Sequence, residues 1–172
     1  PQQRHALQMA LSSEDYTVVA GYPGTGKTQL LMVLLTVLHG LGKKVLLCAY
    51  THSALDNVLR KIIKVGPDDL ADSMCRVGKP SRAHEDVRHL CIPENFDSCS
   101  EVGDFMNPKW LFASTLLGIT DEMLFNRSFD VCIVDEASQA SECAIIGALN
   151  RCKKFVLVGD DQQLPPLVVS PL

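Results

Sequence analysis

Apolar residues along this chain fall into short unbroken runs, separated by longer stretches in which they recur every three or four positions. The runs at 16–20, 44–49, 110–115, 129–135 and 154–158 have strand length, and a run apolar at nearly every position suits a strand buried on both faces. Helical spacing appears in residues 3–11 (Ala6, Leu7, Ala10, Leu11), in 29–39, and in the stripe Leu55, Val58, Leu59, Ile62, Ile63. Gly40, Gly42 and the pair Gly66-Pro67 stop these helices, and Ser53 with Asp56 reads as a capping box. Strands alternating with helices predict an α/β domain whose parallel sheet is covered on both faces and whose crossovers are right-handed. Between 66 and 108 the pattern weakens, which suggests an insertion over the sheet edge. Arg76, Lys79, Arg82 and Arg88 are candidates for a phosphate track there, although Glu85, Asp86, Glu94 and Asp97 lie among them and favour a solvated surface.

The 172 residues, 47% hydrophobic, suffice for one core, so residues 1–172 read as one domain. A net charge of −4 excludes nucleic-acid binding by bulk positive charge but leaves room for a local groove. Seven cysteines without a C-x-x-C pair predict reduced thiols, Cys48 and Cys132 buried in strands, in a reducing compartment. No apolar run approaches the roughly 18 residues of a membrane span. The ends, Pro1-Gln2-Gln3 and Ser170-Pro171-Leu172, suggest part of a longer chain.

Chemistry enters with Gly21-Tyr22-Pro23-Gly24-Thr25-Gly26-Lys27-Thr28, which fits G-x-x-x-x-G-K-[ST] between a strand and a helix. Gly24 and Gly26 let the backbone fold so that successive N–H groups turn toward a phosphate at a helix N-terminus. Lys27 then supplies a cation to the β- and γ-phosphates of ATP, and the Thr28 hydroxyl is a ligand for Mg2+. A second strand ends in Asp135-Glu136. Two acids there allow a division of labour: Asp135 holds the metal with Thr28, and Glu136 orients and deprotonates water. Gln163 follows the last strand, where an amide can sense the γ-phosphate, and the Gln3 amide can read an adenine edge.

The segments 21–28, 51–57, 135–139 and 159–166 occur in the order found in superfamily 1 helicases, and the chain resembles their first RecA-like domain. Asp-Glu-Ala-Ser-Gln followed by Gly-Asp-Asp-Gln-Gln-Leu-Pro-Pro is most similar to the Upf1-like 5′→3′ branch and to its helicase/nucleases of DNA replication and repair. The resemblance covers nearly the whole chain and is weakest over 66–108. It implies ATP and Mg2+ as ligands, with Gln3, Gly21, Pro23, Gly24, Thr25, Gly26, Lys27, Thr28, Asp135 and Gln163 at the nucleotide and Glu136, Lys27 and Gln163 in catalysis. It implies that Thr51, His52, Ser53, Asn57, Ser114 and Thr115 hold single-stranded DNA, gripping phosphate and sugar without reading bases. RNA remains open as the strand, and a nucleotide-dependent interaction module remains open as the function. A second RecA-like domain of the same parent, carrying arginine fingers, is the implied partner. Any 4Fe-4S cluster belongs to a nuclease portion of that parent, since no cysteine here matches it. The implied compartment is the nucleus, with the mitochondrion as a second location.

Overall fold

The computed structural model describes residues 2–93, 96 and 98–166, the side chains of 68 and 69 excepted. In chain order the elements are α1 (Gln2–Ser12), β1 (Tyr16–Ala20), α2 (Lys27–Gly40), β2 (Val45–Ala49), α3 (His52–Val65), α4 (Asp68–Asp72) and β3 (Met74–Arg76). There follow α5 (Cys99–Met106), β4 (Leu111–Thr115), α6 (Glu122–Phe125), β5 (Phe129–Asp135), α7 (Glu142–Leu149) and β6 (Cys152–Gly159). All six strands are parallel, in the order β1-β6-β5-β2-β4-β3.

Burial explains the unbroken apolar runs. Every residue of β2 is fully buried, with Leu47 packed into one core layer beneath α2 and α3 and Leu46 and Cys48 into the other. A strand in that setting needs apolar side chains on both faces, so the alternation of a half-exposed strand disappears. In α2 the buried set is Leu30, Leu31, Leu34, Leu35 and Leu38, one face of a helix. Cys48 and Cys132 are buried free thiols, as expected.

Three expectations are corrected. The sheet is not covered on both faces throughout: β1 is an edge strand, and Tyr16 and Val18 stay 60% and 62% exposed, with Tyr16 stacked on Phe155. The cap of α3 is Thr51, whose side chain accepts from the backbone N–H of Ala54 at 3.1 Å, rather than a box of Ser53 and Asp56. Asp56 points inward instead. The weakly patterned segment also does more than lie over an edge, for it contributes β3, which pairs with β4 and extends the sheet. Glu94 and Asp97 lie outside the described residues.

Arg76 of β3 is completely buried, so it is no part of a surface phosphate track. Its Nε donates to Asp56 Oδ1 at 2.8 Å, while Asp56 Oδ2 accepts from the backbone N–H of His84 at 2.8 Å. Both carboxylate oxygens are therefore satisfied, while Arg76 Nη1 is buried without a hydrogen-bond partner among the described residues.

Candidate functional site

Strand order fixes the geometry of the site. Since β6 lies between β1 and β5, the phosphate loop after β1 and the acids at the end of β5 are two strand spacings apart, roughly 10 Å. Ala20 is in register with Gly159, and Ala49 with both Asp135 and Thr115, so the strands end together along one carboxyl edge. Open parallel sheets bind ligands at such an edge.

Gly24 and Gly26 adopt φ of 77° and 86°, the left-handed region the loop needs. Gly26 precedes α2 as its N-cap with no side-chain bond, which leaves the first N–H groups of the helix directed at a ligand. Thr25 closes the turn by donating its hydroxyl to the Tyr22 carbonyl at 2.7 Å. Lys27 Nζ donates to the Gly21 carbonyl at 2.5 Å and lies 3.7 Å from Asp160 Oδ2. Thr28 is half-buried in the first turn of α2, and Pro23 is exposed on the loop. Gln3 reaches from α1 to donate to the Thr25 carbonyl at 2.8 Å, and with Gly21, Thr25, Gly26 and Lys27 it lines a cavity of about 350 Å3.

Asp135 is 8% exposed, and burial, reinforced by the neighbouring Glu136 charge, pushes its pKa up to about 6. Lys27 is close enough to oppose that shift. Glu136 takes φ of 51°, unusual for a residue with a side chain, and its Oε2 is buried without a hydrogen-bond partner among the described residues. An orphaned carboxylate oxygen beside a second carboxylate in a desolvated corner suits a water and a hard cation. With the Thr28 hydroxyl, these donors match the oxygen chemistry of Mg2+.

The structure adds residues to which the sequence assigned no role. Asp160, fully buried, shares Oδ2 between Lys27 and the Gln163 amide, which donates at 3.0 Å, and Oδ1 accepts from the Gln162 N–H at 3.0 Å. Burial alone raises its pKa, but these donors outweigh it and hold the carboxyl below the usual range. Gln139 donates to Gln163 Oε1 at 3.3 Å, and Ser138 Oγ accepts from the Asp160 N–H at 3.1 Å. A polar chain thus runs from Lys27 through Asp160 and Gln163 to Gln139, joining the phosphate loop to the segments after β6 and β5. The signal lay inside Asp-Glu-Ala-Ser-Gln and Gly-Asp-Asp-Gln-Gln, but only contact between the two segments reveals it.

Farther along the same edge, beyond β2 and β4, Thr51, His52 and Thr115 line a second cavity of about 700 Å3, together with Tyr50, Lys79 and Arg82. Ser53 and Asn57 are exposed on α3, with Asn57 beside Arg60, Lys61 and Lys64. Ser114 is a correction: it is fully buried and its hydroxyl donates to the Thr115 carbonyl at 3.1 Å, so it cannot grip a strand. Thr115 Oγ1 accepts from the Gly118 N–H at 3.1 Å. Arg88 is exposed outside this cavity. Among the described residues no helix is long and apolar enough to cross a membrane, and no cluster of three or more His, Cys, Asp or Glu is gathered as a metal site.

A glycine loop feeding a helix, with acids two strands away on the same edge of a parallel sheet, defines a P-loop NTPase of RecA-like fold. The chain belongs to the AAA domain family, which matches residues 1–107 and 100–171. It is 39% identical over 173 residues to the DNA replication ATP-dependent helicase/nuclease DNA2 of Bos taurus, a match covering 98% of this chain and 16% of that protein. The DNA2 of Xenopus laevis is 41% identical over 173 residues, with the same coverage. The helicase/nuclease JHS1 of Arabidopsis thaliana is 41% identical over 169 residues, covering 98% of this chain and 12% of that protein. The chain therefore spans well under a fifth of these relatives. Among solved structures, the UvsW helicase of bacteriophage T4 superposes with a TM-score of 0.64 at 15% identity, over 91% of this chain and 51% of that one. The SWI2/SNF2 ATPase core of Sulfolobus solfataricus gives 0.60 at 14% identity, over 92% and 30%. At those identities they bear on the fold alone.

Proposed function

We propose that this domain binds and hydrolyses ATP as the first motor half of a 5′→3′ DNA helicase/nuclease acting on single-stranded DNA or flaps. The observation that carries this is the convergence of Lys27, Asp160 and Gln163 with buried Asp135 and the buried Oε2 of Glu136 on one sheet edge. The loop N–H groups and Lys27 bind the phosphates, and Gln3, already fixed on the loop, meets the base. Thr28 and Asp135 are the oxygen donors that would hold magnesium, which when bound screens charge on the β- and γ-phosphates. Glu136 holds and deprotonates the attacking water through its unpartnered oxygen.

Lys27 must leave Asp160 and Gly21 to meet a γ-phosphate, which frees Asp160 Oδ2 and changes what Gln163 can bond. Gln163 thereby senses whether that phosphate is present, because its contacts differ between the two states. Thr51, His52, Ser53, Asn57 and Thr115 hold the strand, and the nucleus, with the mitochondrion, is the proposed compartment. In the full-length protein, Lys27→Ala is expected to abolish DNA-stimulated ATP hydrolysis. Stimulated turnover at the parental rate by that variant overturns the proposal.

A further inference from the structure

The cavity beside Thr51 has two walls. One is the start of α3 with the end of β4, and the other is the turn after β3 that carries Lys79 and Arg82. Both side chains are exposed, and neither makes an ion pair with a described residue. Across from them, His52 is held from beneath. Arg76 Nη2 lies 3.1 Å from His52 Nδ1, and the same nitrogen donates to the Arg82 carbonyl at 3.4 Å.

That contact decides where the imidazole proton sits. A guanidinium has donors only, so Nδ1 must accept, and the single ring proton of the neutral imidazole is left on Nε2. Resting on the nucleic-acid reading above, we propose that this cavity takes a phosphodiester of the bound strand, with Lys79 and Arg82 as its cations and His52 Nε2–H as a neutral donor whose tautomer is fixed by Arg76. Arg76 is thus a positioning residue, itself anchored by Asp56. The device places a directional donor in the groove without adding charge, and the contacts reach backbone rather than bases, as a translocating motor needs.

Burial and the Arg76 charge, assisted by Arg82 and opposed by Asp56, hold the His52 pKa below its ordinary value. His52 is therefore less charged near pH 6.5 than a free histidine, which is half-charged there.

The test is anisotropy of a labelled oligo-dT bound to the full-length protein, titrated with salt and with pH. Lys79→Ala with Arg82→Ala is expected to weaken binding about tenfold and reduce the salt slope by about 0.7, the share of one phosphate on a single strand. His52→Gln, whose amide nitrogen reaches the Nε2 position, is expected to bind like the parent. His52→Asn reaches only to the Nδ1 position, and like His52→Ala it is expected to lose about fivefold. In the parent, binding should gain little as pH falls toward about 6.5, because burial first and the Arg76 charge second hold the His52 pKa below its ordinary value.

An unchanged salt slope, or equal binding by the Gln and Asn variants, overturns the inference. If Thr51→Ala still weakens binding in that case, the nucleic-acid reading survives. Absence of oligonucleotide binding by the parental protein overturns both.

Discussion

At Gly26 one methyl group would decide whether Gln3 stays on the phosphate loop. A Cβ built there falls 2.2 Å from Gln3 Nε2, and the backbone sits at φ +86°, which residues with side chains rarely adopt. Gly24, at φ +77°, has nothing within 4 Å, so its requirement is conformational alone. Gly26→Ala should therefore expel Gln3 and reduce nucleotide affinity by at least about tenfold, read by titration with a fluorescent ATP analogue. Binding at parental strength would show that Gln3 contributes nothing. The glycine loop was legible in the sequence because its residues act through local backbone geometry. The contacts of Asp160 with Lys27 and of Gln139 with Gln163 were not, since they span 133 and 24 positions and no local spacing encodes them. Ser114 departs from its expected role for a related reason: at the end of a strand buried on both faces, a hydroxyl turned inward and one facing a groove look the same in sequence.

At the scale of elements, the strand runs and main helices were readable because burial on both faces, or on one helical stripe, leaves a periodic mark. β3 left none. It is three residues long, Met74-Cys75-Arg76, too short to show a period, and Arg76, whose charge is cancelled by Asp56, breaks the apolar run in sequence while being core in structure. The start of β5 shows how polar groups also fix register. Asp130 accepts from the Lys44 N–H at 3.0 Å, where β2 begins, and from Lys153 Nζ at 3.0 Å on β6. The backbone bond from Lys44 is the largest influence on its pKa, burial opposes it, and Lys153 with Lys43 tips the balance further below the usual 3.8.

A depressed carboxylate contributes stability that is fully present above its unfolded pKa and is lost as pH falls through the folded one. Asp130→Asn should accordingly lower stability at neutral pH by under about 1 kcal/mol, as for other largely exposed pairs. It should also shrink the loss of stability on going below about pH 4, measured by denaturant midpoints at several pH values. An identical acid dependence in the variant would remove Asp130 from the account.

For the whole molecule, the phosphate-loop edge and the cavity beside Thr51 belong to one sheet, joined through β2: Ala49 pairs with Asp135 toward one and with Thr115 toward the other. The resemblance assigns the arginine fingers to a second motor domain, and the chain spans 16% of its vertebrate relatives. Such an arginine is worth roughly 1,000- to 100,000-fold in rate. Expressed alone, these 172 residues should hydrolyse ATP slower than the parent by a factor in that range, and robust DNA-stimulated turnover by the isolated domain would contradict it. Matched DNA and RNA strands added to the parent separate the two substrates through the 2′-OH.

The central claim is that a single site, assembled from the ends of β1, β6 and β5, both holds ATP and cuts it. Its most direct test is single-turnover hydrolysis by the full-length Glu136→Gln variant, with binding of magnesium-ATP measured on the same sample. The account predicts binding at parental strength and hydrolysis slowed by about 100-fold or more, the size of a lost general base. Hydrolysis at the parental rate would contradict it.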